Sequence, residues 1–498
     1  MKDKGNYDYR STPEITIKRP SGNIVILKKD VPDTFYPVID YGKQEGAVID
    51  TGAYQYHWNV LNNNSSSNKI QVLVTNKPYL TAATLVEAGC DGQITLTFEV
   101  REKATGITAS MTTLLFMFKT TTECWVLLYE KNGNSKLGIL AYNSTRYTPF
   151  MNISDSLGLA PYLTGKPLSL SLLTYAYDSD DRYMGVSTDQ TVFILDKAFG
   201  PALGVPAATW INTVIHSSPK QPVYLLEGYP GACWQNGDLY RVNKNVASEE
   251  NFLYTTTPVN ILPSPAESYK VSPVGISIDG DDTQGYLVVF DETNGRFIKY
   301  TNEFDVANSS IPIEFTPVQS LKGYKMVYGR SVSYPDFDMI GAVVKNNADE
   351  FYLVTFLDNG VLKSFIKITD GRVAQARHFA IDFSTGYLLF DAAHAIIGYD
   401  YNMKESVELM DLGVESVSMM KYQTNFFSKD GRNPRNMIYS NILQKLVVCT
   451  NDPKKPGEQA GTFRLMNVRL GKQPLQEVYK MTGLPVIRDI IFTGFPYD

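Results

Sequence analysis

One theme recurs seven times between residues 121 and 498: a strand, a turn rich in Gly, Asn or Asp, and a second strand that often ends in an aromatic residue. Trp125 to Leu140 turns at Asn132-Gly133, a dipeptide that favours two-residue hairpins because both positions tolerate positive φ. Tyr183 to Asp196 has the same form, and Gly231 to Val242 turns at Asn236-Gly237. Val274 to Tyr300, Ile340 to Ile368, His378 to Tyr399 and Lys445 to Leu470 complete the series. Each hairpin leaves one sheet face apolar, and only stacking on a neighbouring unit buries it. The 378 residues give about 54 per repeat, close to the span of a propeller blade. Residues 121–498 are therefore expected to form a β-propeller, of seven blades by this count, with six or eight as the alternatives.

The preceding residues follow a different pattern. MKDKGNYDYR (1–10) is polar and without periodicity, as a tether would be. From Glu14 short alternating runs begin, and Tyr54 to Val60 (YQYHWNV) places aromatic and polar residues in turn, as in a half-buried strand. The Asn- and Ser-rich run at 62–67 reads as a loop. Ile70 to Val74, Gln93 to Val100 and Thr105 to Phe118 read as further strands. Six or seven strands at this spacing predict a β-sandwich over 11–120, with Trp58 packed between its sheets. The composition changes at Lys119 to Glu123, where the boundary is placed. The fold class is all-β. Short helical turns are expected only at Asp155–Leu163 and Leu475–Met481.

Hydrophobic residues make up 43% and charged residues 20%, a globular balance. A net charge of −6 with no basic block argues against nucleic acid as a partner. No apolar run is long enough for a transmembrane helix, and Met1-Lys2-Asp3-Lys4 does not begin a signal peptide. Cys90, Cys124, Cys233 and Cys449 lie far apart, without the spacing of a zinc site, and are expected as buried free thiols.

The motifs of common enzyme chemistries are missing from the sequence. There is no G-x-S-x-G, no H-E-x-x-H and no G-x-x-x-x-G-K-[ST]. The four histidines, His57, His216, His378 and His394, read as structural. Ser187 to Thr191 has a faint likeness to the Asp-box of sialidase propellers but lacks its Gly and Trp, and Arg432 with Arg435 reads as a solvated loop. Asp279 to Gly285 (DGDDTQG) offers carboxylates at alternate positions, suited to a hard cation. It departs from the EF-hand because its twelfth position is Phe290. Asp178 to Asp181 is a second acidic turn. No cofactor is expected, with calcium at Asp279 and Asp281 as the one candidate.

The segment Asp3 to Tyr9 (DKGNYDY), followed by Glu14 to Ile17 (EITI), resembles the mature beginning of the PKD-like family lipoproteins of Bacteroidota. Trp125 to Gly133 (WVLLYEKNG) resembles that family's first propeller strands, and Leu163 to Leu170 (LTGKPLSL) its following segment. The resemblance implies a PKD/Ig-like sandwich followed by a propeller. It implies an outer-membrane, cell-surface lipoprotein, with residues 1–10 as the tether after a removed lipid anchor. It also implies a place beside a SusC-like transporter and a SusD-like lipoprotein in nutrient uptake of glycans or peptides. The sequence departs from the family in having no lipobox cysteine, since Met1 stands near where signal and anchor would be.

The expectation is a non-catalytic accessory subunit that binds glycan or peptide, or docks on the transporter. The alternative is a propeller glycoside hydrolase or lyase acting on extracellular polysaccharide, which needs converging carboxylates. With 32 Tyr in the chain, aromatic residues in or near turns are the candidate ligand contacts: Trp210, Trp234 and Tyr334.

Overall fold

A computed structural model describes residues 15–20, 23–29, 32–43, 48–62, 70–73, 76–90, 92–118, 124–142, 147–156, 159, 163–174, 182–190, 192–196, 223–226, 232–241, 258–263, 266–278, 286–301, 310–334, 337–422 and 445–492. The chain divides into two compact units, 1–124 with 141–148, and 125–140 with 149–498. The boundary expected at 119–123 lies outside the described residues.

The N-terminal unit is built on a five-stranded sheet in the order Ile24–Lys28, Thr108–Phe118, Gly92–Glu102, Tyr54–Asn62, Ile70–Leu73. Alternation decides its faces. Tyr54, Tyr56, Trp58 and Val60 are buried and face the core with Ile94, Leu96, Phe98 and Val100, whereas Gln55 and His57 are exposed. Two short ribbons, Thr16–Lys18 with Val38–Asp40 and Thr34–Phe35 with Leu80–Thr81, supply the second layer through Ile17, Ile39, Phe35 and Leu80. Trp58 lies at the centre, fully buried, 4.1 Å from Phe98 by ring centroids. Its indole N–H donates to the Lys77 carbonyl at 3.0 Å, so burying the indole leaves no donor unmet. A short helix, Ala82–Glu87, was not expected from the sequence. Thr81 caps it, its hydroxyl accepting from the Thr84 N–H at 3.2 Å.

The described strands from Cys124 onward form seven blade sheets in chain order and one two-stranded ribbon, Ile261–Pro263 with Ala266–Ser268. Blade 1 comprises Cys124–Lys131, Asn134–Tyr142 and Tyr147–Phe150. Blade 2 comprises Pro167–Thr174, Arg182–Thr188 and Val192–Asp196, and blade 3 Val223–Leu226, Ala232–Gln235 and Asp238–Arg241. Blade 4 runs from Val271–Ile278 through Tyr286–Asp291 and Arg296–Thr301 to Ser310–Ile313. Blade 5 runs from Tyr324–Tyr334 through Phe337–Asn346 and Phe351–Leu357 to Leu362–Lys367. Blade 6 runs from Phe379–Asp382 through Tyr387–Ala392 and Ala395–Asp400 to Glu405–Asp411. Blade 7 runs from Ser416–Tyr422 through Leu446–Asn451 and Gly461–Asn467 to Gln476–Leu484. The last strand, Ile487–Phe492, returns to pair with Cys124–Lys131 and becomes the innermost strand of blade 1.

From blade 2 to blade 7 the first strand of each blade touches the first strand of the next, and the circuit closes from blade 7 through Ile487–Phe492 to blade 2. The second unit is therefore a seven-bladed propeller closed by its own C-terminal strand. Both Asn-Gly turns take the form the sequence predicts, with φ of 54° and 77° at Asn132 and Gly133 and of 52° and 81° at Asn236 and Gly237. Aromatic side chains fill the seams. Fully buried Trp125 of blade 1 lies 5.7 Å from Phe463 of blade 7 and 5.1 Å from Phe492 of the closing strand.

Two helical expectations are corrected. Leu475–Met481 is not helical, because Gln476–Leu484 pairs with Gly461–Asn467 as the outermost strand of blade 7; tertiary pairing overrides the helix propensity of Gln, Glu, Lys and Met. The turn near Asp155 is a four-residue helix at Ile153–Ser156, earlier than expected.

Candidate functional site

The innermost strands bring charged residues from distant parts of the chain to the seams of the propeller. At the seam of blades 5 and 6, the Arg330 guanidinium donates to the Ile381 carbonyl. The same guanidinium lies 3.9 Å from the ring centroid of Tyr422 in blade 7, a cation–π contact. The Tyr422 hydroxyl donates to Asp382 of blade 6 at 2.7 Å. Burial, with the Asp382 carboxylate close by, pushes the Tyr422 phenol well above its ordinary range, so it stays protonated and acts as a donor. Burial also raises the neighbouring Tyr328 phenol.

One step round the ring, Lys421 of blade 7 donates to Asp489 of the closing strand at 2.6 Å. Asp489 also accepts from the Leu170 N–H of blade 2 at 2.7 Å and from its neighbour Ile490 N–H at 2.8 Å. One carboxylate thus joins blade 7, the closing strand and blade 2. Asp382 is likewise engaged on both oxygens, accepting from the N–H and hydroxyl of Ser384 as well as from Tyr422. The arrangement is a belt of two cations and two carboxylates that runs from blade 5 through blades 6 and 7 and the closing strand to blade 2.

A second constellation sits where blade 6 begins. The Asp391 carboxylate accepts from the N–H groups of Arg377 and His378 at 2.8 and 2.7 Å, and lies 3.0 Å from His378 Nδ1. A histidine beside a carboxylate invites comparison with a catalytic triad. Here the carboxylate fastens the loop entering blade 6 to the blade's second strand, so the pair works as a latch. Burial alone would raise the Asp391 carboxyl, but the bonds from His378 and Arg377 outweigh it and hold the group below its usual range.

The sign of the resulting pH dependence follows. The folded pKa lies below the unfolded value of about 3.9, so the latch's stabilisation is complete above that pH. It is lost as the pH falls through the folded pKa. Asp391→Asn should melt below the wild type at pH 7, with the gap between the two curves narrowing once the pH falls below about 3.9. Calorimetric melts across this range test it, and a gap that stays constant down to pH 3 would remove Asp391 from the acid limb.

The candidate ligand contacts fare differently. Trp234 lies within a strand of blade 3, not in a turn. Its indole N–H donates to the Val271 carbonyl of blade 4 at 2.6 Å, and its ring meets Tyr224 edge-on at 5.6 Å. It is a half-buried wedge between blades, because an indole in a seam satisfies both its apolar face and its donor. Tyr334 ends the innermost strand of blade 5, its backbone opposite Phe337; its side chain lies outside the description. Trp210, Asp279 and Asp281 lie outside the described residues, as do Asp178 to Asp181, His216, Arg432 and Arg435. Among the described residues no cluster of His, Cys, Asp and Glu has the make-up of a metal site. All four cysteines are buried, and burial raises the Cys90, Cys233 and Cys449 thiols, which keeps them in the unreactive form.

No motif announced the belt. Arg330, Asp382, Lys421 and Asp489 are ordinary strand residues in sequence, and only a charged residue on an otherwise apolar innermost strand was a signal available to find them.

Residues 1–158 match the PKD-like family. No curated protein of similar sequence is found. Among solved structures, a quinonprotein alcohol dehydrogenase-like protein from Bacteroides thetaiotaomicron aligns at 12% identity over 96% of this chain and 99% of its own, with a TM-score of 0.40. The extracellular domain of a protein described as a one-component system from B. thetaiotaomicron aligns at 10% identity over 65% of this chain and 36% of its own, with a TM-score of 0.35. The WD40 domain of SCAP from fission yeast aligns at 11% identity over 63% of this chain and 73% of its own, with a TM-score of 0.31.

Proposed function

We propose, from the PKD-like N-terminal segment as premise, that the chain is a non-catalytic cell-surface lipoprotein. It serves as an accessory subunit of a SusC/SusD-like outer-membrane nutrient uptake complex. Its role there is to bind glycan or peptide cargo or to dock on the transporter. The observation that supports this reading is that the described acidic residues of the inner wall, Asp382 and Asp489, accept hydrogen bonds that tie strands of different blades together. A scaffold locked in this way presents loops at fixed positions, which is what a binding subunit requires.

The test is co-purification from outer membranes, using the native lipidated form with an affinity tag. Recovery of a SusC-like and SusD-like pair in stoichiometric amount is the expected result. Recovery of the protein alone would sink the docking role and promote the alternative of a polysaccharide hydrolase or lyase, to be assayed directly.

A further inference from the structure

We infer that Tyr36 and Tyr79 of the N-terminal unit form a stacking subsite for a pyranose ring of a glycan, with Lys77 as its hydrogen-bonding partner. Tyr36 is 68% exposed, the most exposed aromatic among the described residues, most of whose other large aromatics are buried or half-buried. The Tyr36 and Tyr79 rings lie 5.4 Å apart by centroids with 41° between their planes, and the Lys77 ammonium stands 5.3 Å from the Tyr79 ring centroid. Aromatic side chains offer a large rigid contact area at low entropic cost.

The backbone beneath the pair is fixed in advance. Phe35, next to Tyr36, pairs with Leu80, next to Tyr79. Asp33 accepts from the N–H groups of Lys28 and Thr34 at 3.0 and 2.9 Å, and its carbonyl accepts from the Ala82 N–H at 2.9 Å. On the other segment the Lys77 carbonyl receives the Trp58 indole, and the Asn76 side chain receives the Tyr56 N–H at 3.1 Å. One exposed ring, Tyr36, and one half-buried ring, Tyr79, are thus carried on segments pinned to the core, so binding would order little that is not already ordered.

The neighbouring charge selects the ligand class. An apolar partner closing over the pair would strip water from the Lys77 ammonium without replacing its hydrogen bonds, which is costly. A sugar presents both surfaces the site needs. Its C–H face carries partial positive charge and suits the negative face of an aromatic ring, and its hydroxyls accept from the ammonium. The inference deepens the glycan-binding reading above and rests on it for the ligand's presence at the cell surface.

The experiment is affinity electrophoresis of the full chain in gels containing soluble starch, xyloglucan, arabinan, galactomannan or levan. At least one polysaccharide should retard the wild type. Tyr36→Ala should weaken that binding about tenfold, Tyr79→Ala should do likewise, and Tyr36→Phe should retain it. Because the Tyr36 side chain is largely in solvent, its loss leaves the core intact, which an unchanged melting midpoint confirms. Absence of retardation in all five gels overturns the inference, as does equal retardation of wild type and both alanine variants. If Tyr36→Ala leaves mobility unchanged but abolishes recovery of the transporter, the pair is a protein-docking site and the sugar assignment falls. Normal recovery of the transporter with no polysaccharide binding would refute the subsite while leaving the uptake-complex reading intact.

Discussion

A chain ending at Leu484 is expected to lose the propeller's cooperative thermal transition altogether. The missing strand carries Ile487, Ile490, Ile491 and Phe492, all at most 2% exposed. Burying four such side chains is worth roughly 6–12 kcal/mol, comparable with the whole stability of a typical domain. The deletion also exposes the edge of Cys124–Lys131 and the Trp125 seam, a strand whose residues 124 to 129 are all buried. Calorimetry and near-ultraviolet circular dichroism read the outcome. Adding the peptide 485–498 in trans should restore part of the signal, because the strand docks as a separate element of one blade. A truncated chain that melts at the wild-type midpoint would show that Ile487–Phe492 does not close the ring.

Asp489→Ala should cost about 3–5 kcal/mol, the usual loss when one partner of a buried charged pair is removed. For a unit of this size that lowers the midpoint by about 4–6 °C. The effect is large for one small side chain because this carboxylate takes three donors, from Lys421, Leu170 and Ile490. Asp489→Asn keeps one oxygen as an acceptor and should lose less than half as much. A double-mutant cycle with Lys421→Met isolates the coupling across the closing seam. A loss below 1 kcal/mol for Asp489→Ala would mean that the seam is held by apolar packing alone.

Much of this molecule could be read without coordinates. The Asn132-Gly133 and Asn236-Gly237 turns, the alternation from Tyr54 to Val60 and the buried Trp58 all follow from rules that act over a few residues. The seven hairpins each became the heart of one blade for the same reason. Where local rules competed with distant pairing they failed, as at Leu475–Met481, whose helix-favouring residues form an edge strand. Trp234 shows a related limit of local rules. Trp234 carries the same residue type whether it grips a ligand or wedges two blades, and only the position of Val271, 37 residues on, distinguishes the two roles.

What the sequence determined by itself was therefore the class of fold, its repeat and its hairpin geometry, since these depend on hydrophobic period and turn chemistry within each unit. The tertiary structure alone decided how the ring closes, which charges meet across its seams and which tyrosines stand in solvent. Leu170 and Asp489 meet across 319 residues of chain, and Tyr422 and Asp382 across 40. Contacts at such separations leave no periodicity in sequence, because they are fixed by the packing of blades around a common axis.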